Sequence, residues 1–335
     1  MSDTSLANTS NLLVYGSLVV LALALLAFAA DLAVGSGRRR AQEADARRSA
    51  TRQLAAAAGG GGVDVINEHR TSESIEVDER WARVGVSLSC LAFLLLSAAV
   101  VTRGISAGRP PWGNMYEFSL AGATAATGVW LFLVSRRREI RELGLVVVLA
   151  VLLILGVAVV VLYTESAQLV PALKSYWLWI HVTAAIIASG IFTVGSVASL
   201  LFLFADRYER RVASGEIGDR LGFRDALGER LPTSAALDRT AYQTIAFAFP
   251  LWFFAIVAGA IWAESAWGRY WGWDPKETWA FITLVIYASY LHARATAGWR
   301  GRPAAIVALA GFGAFMFSYI GVNIFFFGLH SYGGV

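Results

Sequence analysis

The chain has 335 residues, of which 57% are apolar and only 16% are charged, and its mean hydropathy is +0.57. A soluble protein of this length needs a more charged surface, so the composition excludes a soluble globular protein and indicates one that faces lipid. The formal net charge of +4 does not indicate a nucleic-acid partner, because membrane proteins place Lys and Arg to set their topology.

Eight apolar stretches are long enough to cross roughly 30 Å of hydrocarbon as helices. They predict an all-α integral membrane protein with about eight transmembrane helices. The stretches cover residues 12–34, 82–102, 116–135, 143–163, 178–204, 243–262, 279–293 and 304–326. No Lys or Arg precedes the first stretch, so we expect a retained transmembrane helix rather than a cleavable signal peptide.

The distribution of Lys and Arg predicts which loops face the cytoplasm. Four alternate loop segments carry 22 of these residues, whereas the loops on the opposite side carry five. Basic residues concentrate on cytoplasmic loops, so we expect both termini on the extracytoplasmic side of the cell (plasma) membrane. The basic segments are residues 35–80, 136–142, 205–242 and 294–302.

Three regions are expected along the chain. Residues 1–34 form an N-terminal transmembrane helix, and residues 81–335 form a seven-helix membrane domain. Residues 35–80 join them as a flexible cytoplasmic loop, because this segment is rich in Ala and Arg and is broken by four consecutive glycines, 59–62. The membrane domain includes an external segment, residues 264–279, with an unusual composition.

Four tryptophans lie within thirteen residues of this external segment, namely Trp267, Trp271, Trp273 and Trp279. Tryptophan is enriched at membrane interfaces, so a simple aromatic belt is the alternative interpretation. A belt needs only one or two Trp per helix end, whereas here glycines lie between the tryptophans and let a ligand approach the backbone. The rings offer a broad apolar wall that suits a planar aromatic ligand.

The acidic residues of the segment predict the start of a helix. Asp274 is followed by Pro275 and, three positions after itself, by Glu277. This order is typical of a capping box with proline at the first helical position. We therefore interpret Asp274 and Glu277 as the structural cap of the seventh predicted span rather than as an acid–base pair, with ligand contact as a secondary role.

The histidines add candidate metal ligands. His181 and His330 are expected on the same side as the tryptophan segment, where a lone histidine is often only hydrogen-bonded. Neutral imidazole is, however, a common axial ligand of haem iron, and two imidazoles complete six-coordinate iron. His292 falls near the cytoplasmic end of the seventh span, where it either reaches the interface or serves as a ligand deeper in the membrane. The single cysteine, Cys90, excludes an internal disulfide, and the lack of a Cys-x-x-Cys-His motif excludes a c-type cytochrome.

The segment Trp267–Trp279 resembles the WWD signature of the haem-handling superfamily. From about residue 82 onward the chain resembles the CcsA (ResC-like) subunits of System II cytochrome c synthases. The other segments that carry the resemblance are Pro110–Glu117, Pro171–His181, Tyr290–Arg294 and Gly328–Tyr332. The first span and residues 35–80 are the least similar parts.

The resemblance implies a haem-handling role with haem b as substrate and transient ligand. His181 and His330 would ligate the iron beside the tryptophans. His292 would be a ligand within the membrane, with its counterpart on a ResB/Ccs1-like partner subunit. Such a holocytochrome c synthase (haem lyase) subunit moves haem across the membrane and presents it to the Cys-x-x-Cys-His motif of apocytochrome c. Catalysis would be positioning by these ligands, and Arg269 and Lys276 would contact the haem propionates or the incoming peptide.

Three alternatives remain. A haem exporter or chaperone without ligation activity would carry the same tryptophan motif. A cytochrome b-type electron-transfer subunit is disfavoured, because the predicted spans offer only His292 at depth. A structural subunit of a respiratory membrane complex would leave the density of tryptophans and the one-sided histidines unexplained.

Overall fold

The structure, a computed structural model, describes residues 3–58, 68–165, 175–216 and 222–330. All regular structure within these ranges is helical. The helices are α1 (Asp3–Ala58), α2 (Glu68–Ala107), α3 (Met115–Arg136), α4 (Gly144–Val160), α5 (Tyr176–Ala213), α6 (Phe223–Gly228), α7 (Ser234–Trp267), α8 (Pro275–Thr296), α9 (Arg302–Met316) and α10 (Val322–Phe325). A 3-10 turn, Arg138–Leu143, precedes α4, and a π-helical turn, Phe317–Gly321, joins α9 to α10.

Seven helical segments within the described ranges are long and apolar enough to cross a membrane. They are Ser5–Ala33, Arg80–Ala107, Met115–Arg136, Ile140–Val160, Tyr176–Ala213, Ser234–Trp267 and Arg302–Phe325. This finding confirms the prediction of an all-α integral membrane protein, and the chain is a multi-pass membrane protein. The orientation of its termini stays a prediction.

Helix α8 corresponds to the remaining predicted span, although its polar ends keep it below the apolarity of the other seven. Its 22 residues extend about 33 Å, enough to cross the hydrocarbon. Just before α8, Asp274 hydrogen-bonds to His330 of the C-terminal segment, and near its end Arg294 pairs at 2.7 Å with Asp238 in the first turns of α7. Helix α8 therefore runs antiparallel to α7 along the whole bundle, as an eighth span would.

Helix α5 forms the centre of the bundle and packs against α3, α7 and α9. Two glycines allow these close approaches. A Cβ atom at Gly190 would lie 2.8 Å from the backbone of Ala125 on α3, and one at Gly195 would lie 2.7 Å from Oγ1 of Thr244 on α7. Close contact at small residues is the usual way in which helices associate within a bilayer.

The backbone corrects the prediction of a loop over residues 35–80. Helix α1 continues to Ala58 and α2 begins at Glu68, so most of this segment is helical, and residues 59–67 lie outside the described part. The physical reason is composition, because Ala, Arg, Gln and Glu favour helix whereas consecutive glycines do not. The cytoplasmic position of this segment stays a prediction.

Candidate functional site

His181 and His330 lie around one buried tryptophan, Trp262 of α7. The His181 ring stacks on Trp262 with centroids 6.2 Å apart and an interplanar angle of 10°, and the His330 ring meets it edge-on at 5.7 Å. His181 comes from the second turn of α5, whereas His330 follows α10 in the C-terminal segment. Two histidines separated by most of the membrane domain in sequence are thus brought to one place.

A backbone carbonyl fixes the tautomer of the neutral His181 ring. Nδ1 lies 2.7 Å from the carbonyl oxygen of Ala255. A carbonyl only accepts, so Nδ1 must donate, and the neutral ring keeps its lone pair on Nε2. Gly259 makes this contact sterically feasible, because a Cβ atom there would lie 2.7 Å from Nδ1. The ring is therefore held as an imidazole with Nε2 available to a metal.

His330 is held in the same way by a carboxylate. Its Nδ1 donates to Oδ1 of Asp274 at 2.9 Å, and the backbone N–H of Leu329 donates to Oδ2 at 2.7 Å. The neighbouring Gly328 leaves room for the carboxylate, because a Cβ atom there would overlap with Oδ2. A carboxylate on Nδ1 fixes the tautomer and makes Nε2 more basic, which is the usual arrangement around metal-binding histidines.

Asp274 also begins α8, so the predicted capping box is confirmed. Its Oδ1 accepts from the backbone N–H of Lys276 at 3.0 Å, and Oε2 of Glu277 accepts from the backbone N–H of Asp274 at 3.1 Å. Burial alone would raise the pKa of Asp274, but the hydrogen bonds from His330, Leu329 and Lys276 outweigh it and lower the pKa below its ordinary value. Asp274 is thus ionised at neutral pH, and its stabilising effect is lost only as the pH falls through this lowered pKa. Sequence reasoning missed the contact with His330, because a cap alone explained the residue.

Two cavities meet at the histidines. The large cavity, of about 190 Å³, opens between the first residues of α3 and helices α5, α7 and α9. The small cavity, of about 100 Å³, lies towards Tyr270 and Trp271 of the segment before α8. Both are lined by His181, Lys276 and His330. A flat ligand between the two histidines would therefore extend into a cavity on either side.

The four predicted tryptophans do not form a single wall. Trp267 packs edge-on against His330 at 4.9 Å, and Trp271 lines the small cavity. Trp273 is 65% exposed and adopts a φ of 57°, and Trp279 packs on Phe317, with centroids 4.2 Å apart, away from both cavities. The tryptophans that line the large cavity are instead Trp112, Trp252 and Trp262. Of these, only Trp112 lies in a segment that the sequence singled out.

The structure places Lys276 and Arg269 in different surroundings, and it places His292 far from His181 and His330. Lys276 is half-buried at the cavities, whereas Arg269 is exposed, with its guanidinium against the backbone of Gly272. His292 is exposed on α8 and lines neither cavity. It is 17 residues from Pro275, which places it about 25 Å along the helix from the other two histidines. His292 is therefore not part of the site that His181 and His330 form.

A buried ion cluster fixes the loop that closes the large cavity. The Glu117 carboxylate is fully buried and accepts from Nη1 of Arg109 at 2.7 Å, from Nε of Arg103 at 3.3 Å and from the backbone N–H of Gly113 at 2.9 Å. The side chain of Asn114 caps α3 by accepting from the Glu117 backbone. The loop before α3, which includes Trp112, is thus held from three sides.

Comparison with known proteins places the residues of both cavities within one family match. Residues 112–330 match the family described as cytochrome C assembly protein. The chain is 35% identical to the cytochrome c biogenesis protein CcsA of Synechocystis sp. over 76% of its length and 89% of that protein. For the CcsA proteins of Cyanophora paradoxa and Parasynechococcus marenigrum the identities are 37% and 39%, covering 72% and 75% of this chain and 83% and 88% of those proteins. The matched region begins at Trp112 and ends at His330, so it contains every residue of the two cavities described above. The chain belongs to the cytochrome c assembly family, as a CcsA-type protein of System II cytochrome c biogenesis, and acts in cytochrome c maturation.

Proposed function

We propose that this chain is the haem-handling subunit of a System II cytochrome c synthase. It receives haem b from the cytoplasmic side and holds it between His181 and His330. There it presents the haem to the Cys-x-x-Cys-His motif of apocytochrome c. The observation that carries this proposal is the pair of histidines whose Nδ1 atoms are both engaged, by Ala255 and by Asp274, so that both Nε2 atoms are left for iron.

The surrounding residues suit a porphyrin. The haem would supply the iron and the vinyl groups to which the thiols add. The chain supplies position: His181 and His330 bind from two elements, Trp262 and Trp267 pack against them, and a cavity lies on either side to receive the ring. Holding both reactants in place lowers the barrier without a separate acid or base.

In this proposal, His292 binds haem at a second site, which haem occupies before it reaches His181 and His330. The chain has four histidines, and His292 lies near the predicted cytoplasmic end of the span formed by α8, whereas His69 lies well before the apolar segment Arg80–Ala107 of α2. An exposed imidazole on the surface of a membrane helix is suited to meet a ligand from another subunit. The ResB/Ccs1-like partner would provide that second ligand. The charge distribution supports a plasma-membrane location with the His181–His330 site on the outer face, since 22 basic residues fall on one side and five on the other.

The test is the absorption spectrum of the complex purified with its partner subunit. His181→Ala and His330→Ala should each change the spectrum of one shared haem, whereas His292→Ala should lower total haem loading, because haem no longer enters. His69→Ala is the matched control and should match wild type. Wild-type spectra in all three variants would contradict the ligand assignments.

A haem exporter or chaperone without ligation activity is the second candidate, because the same site would hold haem for delivery elsewhere. Thioether formation on a Cys-x-x-Cys-His reporter, with and without the partner subunit, distinguishes the two. Covalent haem on the reporter only when this chain and its partner are both present supports the synthase. Haem loading without covalent product supports the exporter.

A further inference from the structure

Trp112 places an unused hydrogen-bond donor at the large cavity. The Trp112 side chain lines this cavity, and its Nε1 is buried with no hydrogen-bond partner among the described residues. Buried indole N–H groups normally have a partner, because leaving one unpaired forfeits its hydration. The missing partner is therefore best supplied by a ligand in the cavity.

The position of this donor is fixed. Trp112 directly precedes Gly113, whose N–H donates to Glu117 at 2.9 Å, and Asn114, which caps α3. Glu117 is in turn held by Arg103 and Arg109. A donor on a clamped loop is preorganised for one acceptor position.

The charges at the large cavity favour an anionic acceptor. Lys276 lines the same cavity. Lys276 lines the small cavity as well, but the acidic Glu277 lines only the small cavity. There Oε1 of Glu277 is buried without a partner among the described residues, so it would repel a carboxylate. Within the described part of the chain, the unpaired Nε1 of Trp112 belongs to the large cavity and the unpaired Oε1 of Glu277 to the small one, so the two cavities differ in the charge they favour.

We infer that the Trp112 indole N–H and Lys276 form a carboxylate subsite in the large cavity. The inference rests on the proposed function. For haem, the carboxylates are the propionates, and the vinyl edge then points to the small cavity, beside Trp271 and Glu277. This orientation leaves the vinyl groups on the side where a peptide thiol has to arrive.

The test compares haem with haem dimethyl ester, which has the same ring and no carboxylate charge. Each is titrated into the haem-free complex, and only the absorbance change that is absent in His330→Ala protein is counted. Wild type should bind haem about tenfold more tightly than the ester. Trp112→Phe should reduce that difference by weakening haem alone, because it keeps an aromatic ring and removes the N–H while Lys276 remains.

Trp130→Phe is the matched control. Trp130 also has a buried Nε1 without a partner among the described residues, but it packs on Phe28 in the core and lines neither cavity. It should bind both ligands as wild type does. Equal binding of haem and ester by wild type, or equal weakening of both in Trp112→Phe, overturns the carboxylate subsite while leaving the haem proposal intact. No His330-dependent signal in wild type overturns both.

Discussion

Asp274 combines two roles in one carboxylate. It accepts from the first turn of α8, and it orients His330 through Nδ1. The two roles need the same geometry, since the start of α8 must lie beside the C-terminal segment for Asp274 to reach His330. A residue whose local pattern is fully explained by capping can therefore also be part of the site.

Asp274→Ala should reduce haem affinity at the His181–His330 site about 10–100-fold, as is usual when a carboxylate behind a metal-binding histidine is lost. Asp274→Asn should cost less, because an amide oxygen still accepts from Nδ1. Haem titration followed by absorbance measures both.

Thr233→Ala is the control for Asp274→Ala, because it removes a helix cap without changing a residue that orients a histidine. Thr233 caps α7 at the opposite end of the bundle, and its loss should cost about 1 kcal/mol of stability without changing haem affinity. If Asp274→Ala also left haem affinity unchanged, Asp274 would be a cap and nothing more.

At the scale of elements, the loop between α2 and α3 depends on one buried carboxylate. Glu117 pairs with both Arg103 and Arg109, and all three side chains are at most 9% exposed. Buried arginines without a counter-charge are far less favourable than exposed ones. The loop that carries Trp112 should therefore be the part of the site most sensitive to a single change.

Glu117→Gln should destabilise the protein by about 3–5 kcal/mol, because it removes the charge of the carboxylate with which two buried guanidinium groups pair. The midpoint of thermal unfolding of the purified complex measures the effect. Arg210→Ala is the control, because the Arg210 side chain is 62% exposed and its pair with Asp206 should contribute well under 1 kcal/mol. A Glu117→Gln protein as stable as the control would show that this cluster does not hold the loop.

At the scale of the whole molecule, α8 is a helix of spanning length that its mean hydropathy alone does not identify as a span. Its tyrosines and charged ends lower its apolarity, yet Tyr287 and Tyr290 are buried within the bundle rather than exposed to lipid. Tyr287 stacks on Phe192 of α5, with centroids 4.0 Å apart. A helix that buries its polar face against its neighbours can cross a membrane with fewer apolar residues.

The predicted orientation has a direct test. In a Cys90→Ser background, Glu264→Cys should react with a membrane-impermeant thiol reagent added to intact cells. Trp299→Cys, exposed at the opposite end of α8, should react only after the membrane is permeabilised. The reverse pattern would invert the topology and place the His181–His330 site in the cytoplasm.

The sequence by itself determined the membrane class, the approximate spans, the cap at Asp274 and the candidate histidines. These features depend on local properties: apolar length, and hydrogen bonds between residues three positions apart. Only the tertiary structure decided that His330 pairs with Asp274, 56 residues away, and that His181 pairs with Ala255, 74 residues away. It also showed that Trp112, Trp252 and Trp262, rather than the tryptophans of the external segment, line the large cavity. The reason is that such contacts depend on how the helices pack. The residues next to Trp112 or Gly259 in the sequence do not predict which ring packs against them.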